Sequence, residues 1–189
     1  KWNLLKKLIK KKKVNKKDCI LLPFKTLKKI VSSWTMGNFK QSFLAGLFSI
    51  ITIGILTFLT YKTEFGIFLL ASFGSSMVLL YGYPESPFAQ PKNVFFGHLV
   101  TAIVGLIFLH FVPLPIFITI PLAVGFGVGL MILLNVTHPP AGGNPIIVII
   151  GSVSLDYLLS PVILGSIIII ISAIIINRFI LKKSYPNSR

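Results

Sequence analysis

Two short stretches of this 189-residue chain gather residue types that can do chemistry inside an apolar surround. The first runs Ser86-Pro87-Phe88-Ala89-Gln90-Pro91-Lys92-Asn93 and leads into Gly97-His98. The second runs Thr137-His138-Pro139-Pro140-Ala141-Gly142-Gly143-Asn144-Pro145. Both set polar side chains and helix-breaking prolines against long hydrophobic runs. In hydrocarbon, irregular backbone survives only where protein buries it or where it lines a cavity. A third break, Gly74-Ser75-Ser76, interrupts another apolar run.

The chemistry these breaks suit is the binding of a small monovalent anion. A helix N-terminus offers unpaired backbone N–H groups and a partial positive charge. Ser75-Ser76 and Gly143-Asn144 each read as the opening of an apolar half-helix, with Pro145 in the first turn, where its missing N–H costs little. Gly74 and Gly143 would let a ligand approach the backbone closely. Hydroxyls of Ser75 and Ser76 and the amide of Asn144 would add side-chain donors. His98 and His138 are the titratable groups expected in the core, where either could move a proton with the anion or attract it when charged. Gln90, Lys92, Asn93 and Thr137 are assigned to the pathway or its gate. Each residue also has a plainer role: capping for the serines, Asn144 and His138, headgroup contact for Lys92, loop locking for Gln90 and Asn93. The glycines, with the small faces Gly97-Thr101-Gly105 and Gly125-Gly129, would serve close helix packing.

Other chemistries are poorly served. The four acids, Asp18, Glu64, Glu85 and Asp156, all fall at expected ends or loops. Cation sites at membrane depth rely on central carboxylates, so a cation-driven pump is disfavoured. No metal-ligand spacing and no nucleophile–base pair accompanies the histidines, so no metal, cofactor or enzymatic activity is expected. The one cysteine, Cys19, excludes an intramolecular disulfide framework.

The elements that must position these residues are membrane helices. The chain is 54% hydrophobic and 12% charged, with a mean hydropathy of +0.86. A soluble domain carries about 25% charged residues, so this chain must use lipid as part of its solvent. Apolar segments fall at 43–61, 66–83, 94–112, 115–135, 140–151 and 161–181. A span needs about 20 apolar residues, so the fifth, and the second after Gly74, are half-length. The fold class expected is an all-α, polytopic helical bundle with four to six membrane segments, two of them short or broken. The order long, broken, long occurs twice, which suggests an inverted repeat. Both counts of crossings are even.

Charge placement agrees with that parity. Of 19 Lys and Arg residues, thirteen lie in 1–40 and four follow residue 177. This bias puts both ends on the cytoplasmic or stromal side. The net charge of +15 therefore reads as anchoring on anionic headgroups, with no nucleic-acid partner. Residues 1–40 form a basic tail with an interfacial amphipathic helix at 24–34, residues 41–182 the membrane domain, and 183–189 a short C-terminal tail.

The residues from Phe73-Gly74-Ser75-Ser76 through Ser86–Asn93 to Gly97-His98, followed by Thr137-His138-Pro139-Pro140-Ala141-Gly142, resemble the HPP family of integral membrane proteins. The resemblance covers residues 35–182 and rests on two separate motifs in the right order. It implies about four spans. Plastid and cyanobacterial members are associated with nitrite transport, so it also implies a multi-pass protein of a prokaryotic-type plasma membrane or an organelle inner envelope that carries nitrite. Gly143-Asn144-Pro145 departs from the Ala-Thr usual after the motif, which bears on substrate preference. Some members carry a C-terminal regulatory domain, which is not expected here. The leading expectation is passive or proton-linked transport of nitrite or a similar anion. The alternative is a membrane scaffold without a pathway, and a homo-oligomer is compatible with either.

Overall fold

The computed structural model describes residues 38–63 and 66–187; the amphipathic helix expected at 24–34, the Lys-rich tail, Cys19 and Glu64 lie outside them. Among the described residues all regular secondary structure is helical, with no strand. Helix α1 is Phe39–Lys62, α2 is Ala71–Met77 continued by π-helical turns Val78–Gly82, and α3 is Pro91–Phe111. Helix α4 is Ile116–Leu133, and α5 is Asn144–Ile150, entered through a 3-10 segment Pro139–Gly143. A single turn, Leu155–Leu158, precedes a break at Ser160 (φ −134°, ψ 117°), and helix α6 then runs through Leu164–Ile174 and Ile175–Ile180. Four helical stretches, Phe39–Lys62, Pro91–Phe111, Ile116–Leu133 and Leu155–Ile180, are long and apolar enough to cross a membrane, and Pro139–Ile150 is a shorter apolar helix. The six expected segments are therefore all present as helices.

The second segment differs from expectation in where it breaks. Gly74-Ser75-Ser76 does not open a helix; α2 already begins at Ala71 and runs straight through it. The irregular stretch is 66–70, which contains no polar side chain. Its backbone is held from elsewhere. Thr60 Oγ1 accepts from Phe68 N at 2.9 Å, and Ser160 Oγ donates to the Ile67 carbonyl. An unsatisfied backbone group in hydrocarbon costs several kcal/mol, more than the ~1 kcal/mol penalty of Gly74 inside a helix. The chain therefore departs from helix where partners for its backbone exist, not where its glycine lies.

Packing follows from small residues. Phe73, Leu80, Val162 and Ile169 are buried with Leu56 and Val94 in a core shared by α1, α2, α3 and α6. Gly165 lets the 66–70 stretch lie against α6: a Cβ there would meet Phe68 O at 2.7 Å and Phe73 Cε2 at 2.5 Å. On α3, Gly97, Thr101 and Gly105 form one face, and each takes a neighbour from the second half of the chain. A Cβ at Gly97 would meet His138 Cβ at 2.7 Å, and one at Gly105 would meet Pro145 Cα at 3.0 Å. The close packing expected of this face is what the structure shows. Outward, Ile50, Phe58, Phe117, Phe126 and Phe179 are exposed, as a lipid-facing surface requires.

Among the described residues three helix ends turn through left-handed residues, at Asn135, Ser152 and Lys182. Asn135 (φ 58°) follows α4, with Asn135 N bonded to Ile132 O at 3.1 Å and Val136 N to Met131 O at 2.9 Å. Ser152 (φ 44°) follows α5 with the same pattern, to Ile149 O and Val148 O. This double closure satisfies helix-end carbonyls, and after α4 it turns the chain back so that His138 reaches α3.

Gln41 Nε2 donates to Gly82 O and Asn187 N donates to Gln90 Oε1, so both ends of the described membrane unit lie at the same end of the bundle. The short C-terminal tail docks on the bundle: Tyr185 is buried and its hydroxyl donates to Ala89 O at 2.8 Å.

Replacing Gly165 with Ala is expected to lower stability by about 1–3 kcal/mol through overpacking. Gly125, with nothing within 4 Å of its Cβ position, should tolerate Ala without loss. Thermal unfolding of both variants in detergent checks the contrast.

Candidate functional site

Six of the buried polar residues at membrane depth converge on one cluster. Helix α2 contributes Ser72 and Ser76, four residues apart and hence on one face. Helix α3 contributes His98 and Thr101, the return after α4 contributes His138, and α5 contributes Asn144. Ser76, His98, Thr101, His138 and Asn144 are all fully buried, and Ser72 nearly so.

The first turns of the two short helices meet here. Ser72 Oγ donates to Asn144 Oδ1 at 2.7 Å. Helix α2 runs toward the Gln41 end of the bundle. Helix α5 runs the other way, since Val153 beyond it shares a cavity with Gly66 and Ile67, which precede α2. Two oppositely directed short helices that touch at their starts is the arrangement expected of the broken segments. The contact is made one turn earlier in α2 than the sequence suggested.

Hydrogen-bond directions can be assigned from the partners. The Phe88 carbonyl, 2.8 Å from His138 Nδ1, can only accept, so Nδ1 carries the proton. In the neutral ring Nε2 then accepts, and Ser76 Oγ, at 2.8 Å, donates to it. Ser76 Oγ in turn accepts from His98 Nε2 at 3.2 Å. That leaves His98 Nδ1 as an acceptor, served by Asn144 Nδ2 at 3.1 Å. Asn144 Nδ2 also reaches Thr101 Oγ1 at 3.0 Å and His98 O at 3.2 Å, and Thr101 Oγ1 donates to Gly97 O at 2.8 Å. The two imidazoles lie 5.0 Å apart edge-on, and Phe73 closes the other side of His98 at 5.0 Å. Every direction fits a pair of neutral histidines bridged by one serine hydroxyl.

At the Gln41 end of the bundle lies a cavity of about 420 Å³ lined by Glu85, Pro87, Gln90, Lys92, Asn93, Asn135 and Asn187. Asn93 lines it and also donates from Nδ2 to Thr137 O at 2.9 Å, next to His138. Gln90 Nε2 holds Pro84 O and Ser86 O at 3.0 and 2.9 Å, which fixes the turn that presents Phe88 O. At the other end of the bundle a second cavity, about 530 Å³, is lined by Gly66, Ser154, Asp156, Tyr157 and Ser160.

The sequence assignments therefore divide. Ser76, His98, His138 and Asn144 come together, and Gln90, Lys92 and Asn93 gather at the cavity beyond them. Thr137 sits between, its carbonyl on Asn93 and its hydroxyl 3.5 Å from Met131 O. Ser75 and Gly74 are exposed and make none of the cluster's hydrogen bonds, which Ser72 and Ser76 supply from α2. Gly143 is half-buried in the 3-10 segment with open space where its Cβ would stand, so nothing there needs a glycine's close approach. Sequence reasoning misses Ser72, although its spacing of four from Ser76 is visible in the chain. It assigns Thr101 to packing alone, although Thr101 stands one turn beyond His98.

Ser72→Ala leaves Asn144 Oδ1 without its donor and is expected to cost about 1–3 kcal/mol. Ser75→Ala, on the exposed face, should stay within about 0.5 kcal/mol of the parent. Unfolding free energies of the two single variants, measured side by side, test which serine belongs to the cluster.

Comparison with known proteins agrees with this architecture. The family model for the HPP transmembrane region matches residues 34–186. Two transmembrane proteins of Dictyostelium discoideum are each 33% identical to the chain, one over 125 residues (62% of this chain, 44% of the relative) and one over 152 residues (77% of this chain, 49% of the relative). The chain thus spans about half the length of the curated relatives it matches. No solved structure matches it. With its His-Pro-Pro segment turned back onto α3 and its helices long and apolar enough to span a bilayer, the chain belongs to the HPP family of transmembrane proteins.

Proposed function

We propose that this protein transports a small monovalent anion, nitrite foremost, across its membrane. The observation that carries the reading is the contact between the first turns of α2 and α5 at Ser72 and Asn144, enclosed between a cavity at each end of the bundle. The side chains gathered there, two serines, a threonine, an asparagine and two histidines, offer donors without a fixed negative charge. An anion arriving from water at the Gln41 end would meet Lys92, then Asn93, before reaching this cluster. Entry requires the Ser72–Asn144 bond to open, so the site exchanges that internal bond for bonds to the ligand. That exchange keeps binding weak enough for release, which conduction needs.

The reading is one of binding and release rather than bond-making. The partners of the two imidazoles are Ser76, Ser72, Asn144 and the Phe88 carbonyl, groups suited to holding a ligand. The Lys-rich end would rest on anionic headgroups of the cytoplasmic or stromal leaflet, with both chain ends on that side.

Purified protein in liposomes is expected to carry nitrite above the protein-free leak, and a panel of nitrite, nitrate, formate and chloride would rank selectivity. Asn144→Asp replaces the donor to His98 and Thr101 with a negative charge in the anion's path. It should lower flux at least about tenfold, equivalent to ~1.4 kcal/mol in the barrier. Lys92→Gln should raise the half-saturating concentration more than it lowers the maximal rate, because Lys92 lies on the approach. Flux of none of the four anions would sink the transport reading in favour of a scaffold.

A further inference from the structure

The Ser76 hydroxyl has one proton and two acceptors. His138 Nε2 lies 2.8 Å away and the Ser72 carbonyl 3.1 Å away. With both histidines neutral, the proton must point at His138, since nothing else in the cluster donates to Nε2. If His138 gains a proton at Nε2, the same geometry still closes: Nε2–H donates to Ser76 Oγ, and the hydroxyl proton turns to Ser72 O. Ser76 Oγ then accepts from both rings. No heavy atom has to move, and no donor or acceptor is left over. Hydroxyl rotation takes the place of a side-chain rearrangement.

The surroundings decide when that proton is taken up. The groups facing the pair come from α2 (Ser72, Ser76, Phe73), α3 (Thr101), the 3-10 turn Pro87–Ala89 (the Phe88 carbonyl) and α5 (Asn144). None of these is charged. Lys92 and Glu85 stay in the cavity, beyond the Asn93–Thr137 bond. An anion alone in this enclosure would be a buried unpaired charge, and so would a proton alone; either is costly. Both together form a neutral pair. By linkage, whatever factor the anion adds to proton affinity, the proton adds to anion affinity.

We propose that the Ser76-bridged histidine pair takes up one proton with each anion, so that the protein is an electroneutral proton–anion symporter. The proton comes from hydronium in the cavity, binds His138 Nε2 while the Ser76 hydroxyl turns to Ser72 O, and leaves to water on the far side with the anion. No bond in the protein is made or broken beyond that N–H, and no oxidant or reductant is involved. This inference rests on the anion reading above and adds its coupling.

The test uses the purified chain in liposomes with a trapped pH dye and an inward nitrite gradient, with protein-free vesicles subtracting the leak of neutral nitrous acid. Nitrite entry should acidify the lumen by about one proton per anion, and its rate should be the same at zero and at inside-positive potential set by potassium and valinomycin. Apparent nitrite affinity should tighten about tenfold per unit fall in pH, as one linked proton requires. Potential-driven nitrite entry without acidification overturns the coupling and leaves the anion reading standing. A second arm adds nitrite to the protein in nanodiscs under weak buffer. Proton uptake on binding supports the site even where no flux is seen, and binding without uptake overturns it. Absence of both flux and binding overturns both readings. Ser76→Ala, which removes the bridge, should cut proton uptake per nitrite at least about fivefold relative to the parent, while His138→Gln should abolish it.

Discussion

A membrane interior offers no water to a backbone group that leaves its helix, and the fold is organised around that constraint. The 66–70 stretch and the return after α4 both depart from helix inside an apolar surround. Each is supplied with partners by residues far away in sequence. Thr60 and Ser160 hold the first, and Asn93 holds the second at Thr137 O. Glycines at 165 and 97 then let each stretch lie close against a long helix. Satisfying broken backbone and packing it closely are thus one solution used twice, and the short helices α2 and α5 start where the two solutions meet.

The same constraint explains why the cluster is neutral and closed on itself. Side-chain hydroxyl, amide and imidazole groups brought to this depth must bond to one another, because nothing else is there. Their bonds give each residue a defined direction, from Asn144 through His98 and Ser76 to His138 and the Phe88 carbonyl. The chain of donors ends at a turn whose shape depends on Gln90, and that turn borders the cavity. Site and entrance therefore share structural parts, which is why the two sequence motifs, more than forty residues apart, form a single region.

Much of this was legible from residue order. The long spans follow from runs of apolar residues that only lipid can accommodate, and Pro139-Pro140 with Gly142-Gly143 announce a break that is in fact there. His98, His138 and Asn144 stand out as polar groups with no water to face. The register of α2 was not legible. Gly74-Ser75-Ser76 looks like a break, and residues 66–70 look like helix, because the partners that reverse this lie at Thr60 and at Ser160, outside the segment. A glycine within a helix is a small cost that tertiary packing outweighs, so Ser75 turned outward while Ser72, unremarked in its apolar run, turned in. The docking of Tyr185 was hidden for a similar reason: a tyrosine between basic residues and a proline gives no sign of a carbonyl waiting at Ala89.

That docking has a mechanical meaning. Tyr185 is held to Ala89 and Asn187 to Gln90, while the next carbonyl back, that of Phe88, holds the ring of His138. The end of α6 and the His-Pro-Pro segment are thus joined through a turn of three residues. Loss of the contacts at Tyr185 and Asn187 would therefore be felt at the turn whose Phe88 carbonyl holds the imidazole.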